Sequence, residues 1–154
     1  MIRTAEVADL ERVMQLEREV AEAPHWTERE YRALLEGEVE RGRMVLAEGG
    51  GRLLGFAAGR VMAAGGDRWG ELESVAVAVA ERRRGLGRAM CEAVLEWCEA
   101  QGAAEVELEV RAGSEGAIRM YRGLGFEPEG IRRRYYTQPT ENAVLMRRKR
   151  STGG

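Results

Sequence analysis

The chain has 154 residues, 44% of them hydrophobic and 32% charged, a one-domain length with enough apolar material for a core. The 24 basic and 26 acidic side chains leave a formal net charge of -2, so no whole-chain field favours nucleic acid or an anionic membrane surface. The apolar fraction disfavours disorder, the lack of any period excludes collagen-like and low-complexity structure, and no long uncharged apolar stretch offers a membrane span. Arg3, Glu6 and Asp9 interrupt the first residues before an apolar run develops, so no signal-peptide pattern forms and a cytoplasmic location is expected. Lys149 is the only lysine against 23 arginines, a bias that by itself assigns no function. Cys91 and Cys98 lie seven apart in a helical pattern, too far for a disulfide between them, and read as small core side chains, with a reactive thiol as the alternative. His25 is the only histidine, so no metal centre is expected.

Ile2 to Ala5 reads as a short strand, followed by a helix from about Asp9 in which Leu10, Val13, Met14 and Leu16 recur near helical spacing. Pro24, His25 and Trp26 form a loop before a second helix, opened by the capping-box pair Thr27 and Glu30 ahead of Tyr31, Leu34 and Leu35. Met44 to Glu48 and Leu53 to Val61 are strands joined by Gly49, Gly50 and Gly51, a hairpin signal. The next strand runs from Trp69 to Val79. From Gly85 to about Gln101 the polar positions Arg88, Glu92, Glu96 and Glu99 form one stripe and apolar residues cover the rest, which predicts a largely enclosed helix. Glu105 to Arg111 alternates strictly, a strand with Val106, Leu108 and Val110 on one face. A short helix from about Ser114 to Gly123 precedes two extended segments, Phe126 to Tyr136 and Asn142 to Arg147. The order predicts a mixed α/β (α+β) domain with a parallel pair at its centre. No linker or repeat divides it: one domain is expected over 1–148 and a basic, frayed tail over 149–154, with the run Arg147 to Arg150 solvated rather than a nucleic-acid contact.

Within the strand before the long helix, apolar character changes phase near Ser74. Glu71 and Glu73 share the phase of Val75, Val77 and Val79, while Leu72 takes the other. Either both faces are buried with the acids lining a cleft, or a bulge re-aims the strand and frees an amide; the bulge is the favoured expectation. Beyond it, Val75, Ala76 and Val77 lead through Arg82, Arg83, Arg84, Gly85, Leu86, Gly87, Arg88 and Ala89 into the helix. A glycine-bearing turn at a helix N-terminus can bind phosphate, because first-turn amides have no internal partners and the dipole favours negative charge. A tight turn with a solvated arginine cluster is the structural alternative. A dinucleotide fingerprint would need glycine where Met90 stands, and a P-loop would need a Gly-Lys-Ser/Thr ending. A cofactor bearing a pyrophosphate remains.

Arg82-x-x-Gly85-x-Gly87 after Val75-Ala76-Val77 resembles the acetyl-coenzyme A motif of the GNAT N-acetyltransferases. Leu108-Glu109-Val110-Arg111, Tyr121-Arg122-Gly123-Leu124-Gly125-Phe126, Arg134-Tyr135-Tyr136 and Glu141-Asn142-Ala143-Val144-Leu145-Met146 extend the likeness. With Pro24-His25-Trp26-Thr27 they resemble the RimI type of that family, which acetylates the N-terminal alanine of a ribosomal protein. The resemblance implies the GNAT acyl-CoA N-acyltransferase fold, a mixed sheet of six to seven strands with about four helices. It implies acetyl-CoA as co-substrate, CoA as product and no metal. It assigns Val75 to Val77 to the pantetheine and thioester, the amides from Arg83 to Arg88 to the pyrophosphate, Glu109 to the general base and Tyr121 to the general acid. Ser114 stands where the family often has a cofactor-contacting asparagine, and Ala78-Val79 replaces a polar residue and proline.

Aminolysis of a thioester needs a neutral amine, a polarised carbonyl and a protonated leaving thiol, hence a base, hydrogen-bond donors and an acid. Glu109 lies on the face of Glu105 and Glu107, which a solvated surface would also explain, and Glu73 is the rival base. Tyr121 has the spacing of a core tyrosine as well as the position of the acid. As neighbours on an extended segment, Tyr135 and Tyr136 are expected to face opposite ways, so that at most one lines the acceptor site. The acceptor expected from the resemblance is a peptide or protein N-terminus, such as that of a ribosomal protein. A small amine, or a non-catalytic acyl-CoA module, is the alternative. Neither membrane nor direct nucleic-acid contact is expected, and the chain is read as a monomer or homodimer.

Overall fold

The computed structural model describes residues 1–20, 26–37, 42–82, 84–137 and 140–149. Pro24, His25, Arg83 and Arg150, all part of the readings above, lie outside them, as does the rest of the C-terminal tail. The strands are β1 (Ile2–Thr4), β2 (Gly42–Gly49), β3 (Arg52–Ala64), β4 (Asp67–Val77), β5 (Glu105–Arg111), β6 (Glu127–Thr137) and β7 (Thr140–Lys149). The helices are α1 (Leu10–Glu19), α2 (Glu28–Leu35), α3 (Leu86–Ala100) and α4 (Glu115–Gly123), with 3-10 turns at Val7–Asp9 and Val79–Glu81. The capping box at α2 forms as the sequence predicts: Thr27 Oγ1 accepts from the Glu30 amide and the Glu30 carboxylate accepts from the Thr27 amide, both at 3.2 Å.

One sheet contains all seven strands in the order β1-β2-β3-β4-β5-β7-β6. Every neighbouring pair is antiparallel except β4 and β5, which the crossover through α3 makes parallel. That pair is short. It joins Gly70 to Val106 and Glu71 to Glu107, after which β4 stays with β3 and β5 stays with β7 along their remaining lengths. The sheet therefore opens at its centre.

A bulge lies at the opening. Ala58 pairs with Ser74 and Gly59 with Leu72, leaving Glu73 as an extra residue in β4. This is the favoured of the two sequence readings, and it explains the phase change: Leu72, Val75 and Val77 pack on the α3/α4 side, while Ala76 packs on the α1/α2 side. Buried Ser74 anchors the strand just past the bulge, its Oγ 2.9 Å from the Tyr31 hydroxyl of α2.

Two apolar clusters cover the two faces of the sheet. Met90, Cys91, Val94, Leu95 and Cys98 of α3 pack with Val106, Leu108, Val110, Tyr121 and Phe126; Leu10, Val13, Met14 and Leu16 of α1 pack with Tyr31, Leu46 and Phe56. Both cysteines are buried and free, and burial pushes the Cys91 thiol up to about 12, which suits core packing rather than reactivity. Asp9 ties α1 to β1 and β2: its carboxylate accepts from Arg3, Arg12 and the Glu6 amide, and both arginines also reach Glu48.

Two expectations need correction. The strand after Gly66 stops at Val77 instead of Val79, because Ala78 caps a 3-10 turn over Val79–Glu81, its carbonyl accepting from the Glu81 amide at 2.8 Å. Arg147, Arg148 and Lys149 are not a frayed run. They complete β7 opposite Glu107, Val106 and Glu105, with Arg147 on Glu107 at 2.9 Å and Arg148 on Glu99 at 2.9 Å; strand pairing and facing carboxylates order them. A β-carbon at Gly59 would lie 2.7 Å from Val94 Cγ1 and 2.9 Å from Glu71 O, beside the bulge. Gly59→Ala is expected to lower unfolding free energy by about 1–3 kcal/mol through overpacking, measured by urea denaturation; an unchanged midpoint would contradict so tight an approach of α3 to the sheet.

Candidate functional site

The α3 N-terminus closes one end of the opening. Gly85 caps α3 in the left-handed region, with φ 78°, and nothing lies within 4 Å of where its β-carbon would stand. The first intrahelical bond runs from the Ala89 amide to Gly85 O, 3.0 Å. The Leu86, Gly87 and Arg88 amides precede it and have no helical partners. Gly87 sits where a β-carbon would just touch Met120 and Val77, so α3, α4 and the end of β4 converge there. Of the arginines, Arg82 Nε reaches Val77 O at 3.4 Å, Arg84 pairs with Glu81, and Arg88 pairs with Glu92 at 2.9 Å. Since the Ala78 amide turns toward β3, strand alternation aims the Val77 amide at the opening. An extended chain carrying an anionic head fits this path: head on the α3 amides, tail along Val75 to Val77.

On the α1/α2 side lies an open cavity of about 500 Å³, whose lining includes Glu71, Glu73, Glu107, Glu109 and Glu129 beside Trp26, Tyr135 and Tyr136. Its cationic lining residues are Arg60 and Arg147. Arg60 lies on Glu73 and 3.6 Å from Glu71; Arg147 bridges Glu107 at 2.9 Å and Glu129 at 3.1 Å. Both rival bases thus face one space. Glu73 is the more enclosed, with 16% of its side chain exposed against 30% for Glu109. Burial pushes the Glu73 carboxyl up to about 7, against the opposing pull of Arg60. Glu109 accepts from Arg132 at 2.7 Å.

Tyr121 lies across the sheet from those carboxylates. It is buried in the cluster against which Val75, Val77 and Leu86 pack, edge-on to Phe126 at 5.9 Å. Burial raises its hydroxyl well above the usual range, so it stays protonated at neutral pH. Ser114 forms the N-cap of α4 without spending its hydroxyl on a cap bond.

Both Tyr135 and Tyr136 line the cavity, contrary to the expectation that only one could. Arg132 pairs with Ala143 and Tyr136 with Glu141, so three residues of β6 oppose one of β7 and strict alternation fails. Arg60, Glu107, Glu129 and Arg147 were not singled out from sequence as wall residues. Glu107 was detectable from the alternation of β5; Glu129 and Arg147 arrive through the β5-β7-β6 order, which local pattern does not encode.

A helix N-terminus with unpartnered amides thus stands at one end of a split sheet whose other side carries a carboxylate-lined cavity. The model of the acetyltransferase (GNAT) family matches residues 9–126, and the chain belongs to that family. The [ribosomal protein bS18]-alanine N-acetyltransferase of Escherichia coli (strain K12) is 43% identical over 77 residues, 49% of this chain and 52% of that protein; the chain spans about half the length, or less, of the first curated relatives it matches. The crystal structure of the ribosomal-protein-S18-alanine N-acetyltransferase from Escherichia coli superimposes with TM-score 0.79 at 30% identity, covering 100% of this chain and 96% of that one. Arabidopsis thaliana NAA60 in complex with acetyl-CoA shares the fold, with TM-score 0.84 at 17% identity and 97% of each chain covered.

Among the described residues no helix is long and apolar enough to cross a membrane, and no group of His, Cys, Asp and Glu could hold a metal ion. A β-carbon at Gly85 would have room but the wrong backbone angle, a strain of roughly 1–2 kcal/mol. Gly85→Ala is expected to weaken uptake of acetyl-CoA about tenfold in calorimetry; unchanged affinity would detach the cradle from the cofactor.

Proposed function

We propose that this chain moves an acetyl group from acetyl-CoA to a primary amine by direct attack, and that the amine is the N-terminal α-amine of a protein of the ribosomal alanine type. The observation that carries the reading is the parting of β4 from β5 beyond Glu71, with the free α3 amides at one end and the carboxylate cavity on the far face. The named activity of the Escherichia coli relative supports the acceptor. An open cavity supports it too, since a peptide must leave one behind its first residue, whereas a small amine suits a closed pocket.

When bound, acetyl-CoA supplies an activated acyl group. The amides of Leu86, Gly87 and Arg88 hold its pyrophosphate, with Arg82, Arg83 and Arg84 adding positive charge, and Val75, Ala76 and Val77 lie along the pantetheine arm. Leu86 and Ala89 pack the first turn of α3, and Ser114 offers its hydroxyl from the α4 side. The Val77 amide is aimed to stabilise charge on the thioester oxygen. Glu73 and Glu109 take the ammonium proton, relayed through water. Tyr121, on the other face, gives its proton to the departing sulfur. This division puts base and acid on opposite sides of the opening, so the proton leaves the amine on one face and another reaches the sulfur from the other.

Tyr121→Phe is expected to lower kcat by about a hundredfold or more while acetyl-CoA affinity stays within a factor of about two; unchanged turnover would remove the acid role. A carboxylate near 7 must be deprotonated to accept a proton, so kcat/KM should rise with pH up to about 7, below the limb set by the α-amine at about 8. Glu73→Gln is expected to erase that lower limb, and if it persists Glu109 carries the proton transfer alone. The acceptor is tested with a peptide beginning in alanine against a panel of polyamines, amino acids and aminoglycosides, following CoA release. Peptide turnover is expected; turnover of a small amine only, or binding with no turnover of any, would overturn the assignment.

A further inference from the structure

We infer that Asn142 is a positioning residue for the acceptor, acting through a strained bulge in β6 that brings Tyr135 and Tyr136 onto the same cavity. Between the pairs Arg132 to Ala143 and Tyr136 to Glu141, the residues Arg133, Arg134 and Tyr135 of β6 face Asn142 alone on β7. Arg134 takes φ 53°, the one positive value at a non-glycine position among the described residues. L side chains seldom adopt this region, and they hold it only where surrounding contacts require it. Asn142 supplies such a contact: its Oδ1 accepts from the Arg134 amide at 3.0 Å.

The bulge has a definite product. In an unbroken strand Tyr135 and Tyr136 would point to opposite faces. Here both line the cavity, their rings 5.1 Å apart and near perpendicular. Each ring is backed by a cation, Arg132 at 4.5 Å from Tyr135 and Arg111 at 4.1 Å from Tyr136. Arg111 is itself tied to Glu141 at 3.4 Å, and Glu141 accepts from the Gly113 amide. The cations fix ring orientation, but neither sets the backbone turn; that falls to Asn142. Asn142 is exposed and does not line the cavity, so its effect on an acceptor passes through β6.

The inference rests on the proposed reading that this cavity receives the acceptor, and the two can fail separately. Steady-state kinetics on the full chain with a peptide beginning in alanine, and acetyl-CoA calorimetry, supply the readouts. Asn142→Ala is expected to raise the peptide KM about tenfold while kcat and acetyl-CoA affinity change less than about twofold. Asn142→Asp keeps an acceptor oxygen and is expected to stay near the parent value. Adding Arg134→Gly to Asn142→Ala is expected to bring KM back to within about threefold, because glycine adopts the left-handed region without strain; Arg134→Ala should give no such rescue. Because the site is exposed, each variant should melt as the parent does. If Asn142→Ala leaves KM unchanged, or Arg134→Gly fails to rescue, while Tyr135→Ala and Tyr136→Ala still raise KM, the positioning role falls and the acceptor reading stands. If the tyrosine variants also leave KM unchanged, both fall.

Discussion

The parting of β4 from β5 is the constraint on which the rest of the site depends. A parallel pair normally continues as far as both strands run, since each lost rung strands backbone groups. Here each strand keeps a full antiparallel partner on its outer edge, β3 for one and β7 for the other. The sheet can therefore split down the middle without unravelling. The bulge at Glu73 sits where the split begins and gives β4 its new direction. Tyr31 holds the strand just beyond it through Ser74.

The split also explains how one layer of strands can serve two unlike compartments. Its α3/α4 side is apolar and encloses Tyr121, where burial keeps a phenol protonated. Its α1/α2 side collects carboxylates whose charge is offset by Arg60 and Arg147. Burial raises both kinds of titratable group, the Tyr121 phenol far enough to stay protonated and the Glu73 carboxyl to about 7, where a proton acceptor is useful. Few residues are needed for this, because period-two alternation along β5 sends Val106, Leu108 and Val110 one way and Glu107 and Glu109 the other.

Much of this is legible in the sequence. The glycine turn into α3, the strict alternation of β5 and the capping box of α2 are local patterns with local causes, and they formed as read. The phase change at Ser74 announced an irregularity; only the pairing with β3 distinguished a bulge from a strand buried on both faces. What escaped depends on partners distant in sequence. Tyr135 and Tyr136 looked like ordinary neighbours on a strand, because the residue that holds their turn belongs to the next strand. Glu129 and Arg147 became walls of the cavity through strand order, and the basic run at the end of β7 found carboxylates waiting for it on β5 and α3.

The near-exclusive use of arginine has a chemical consequence for a domain of this family. A guanidinium stays protonated at any physiological pH and is a poor nucleophile, so arginines around the opening can attract a polyanion without themselves being acylated. Lys149, at the far end of β7, is the single ε-amine in the sequence. The turn before α3 thus carries its positive charge without adding a side-chain amine that could be acylated.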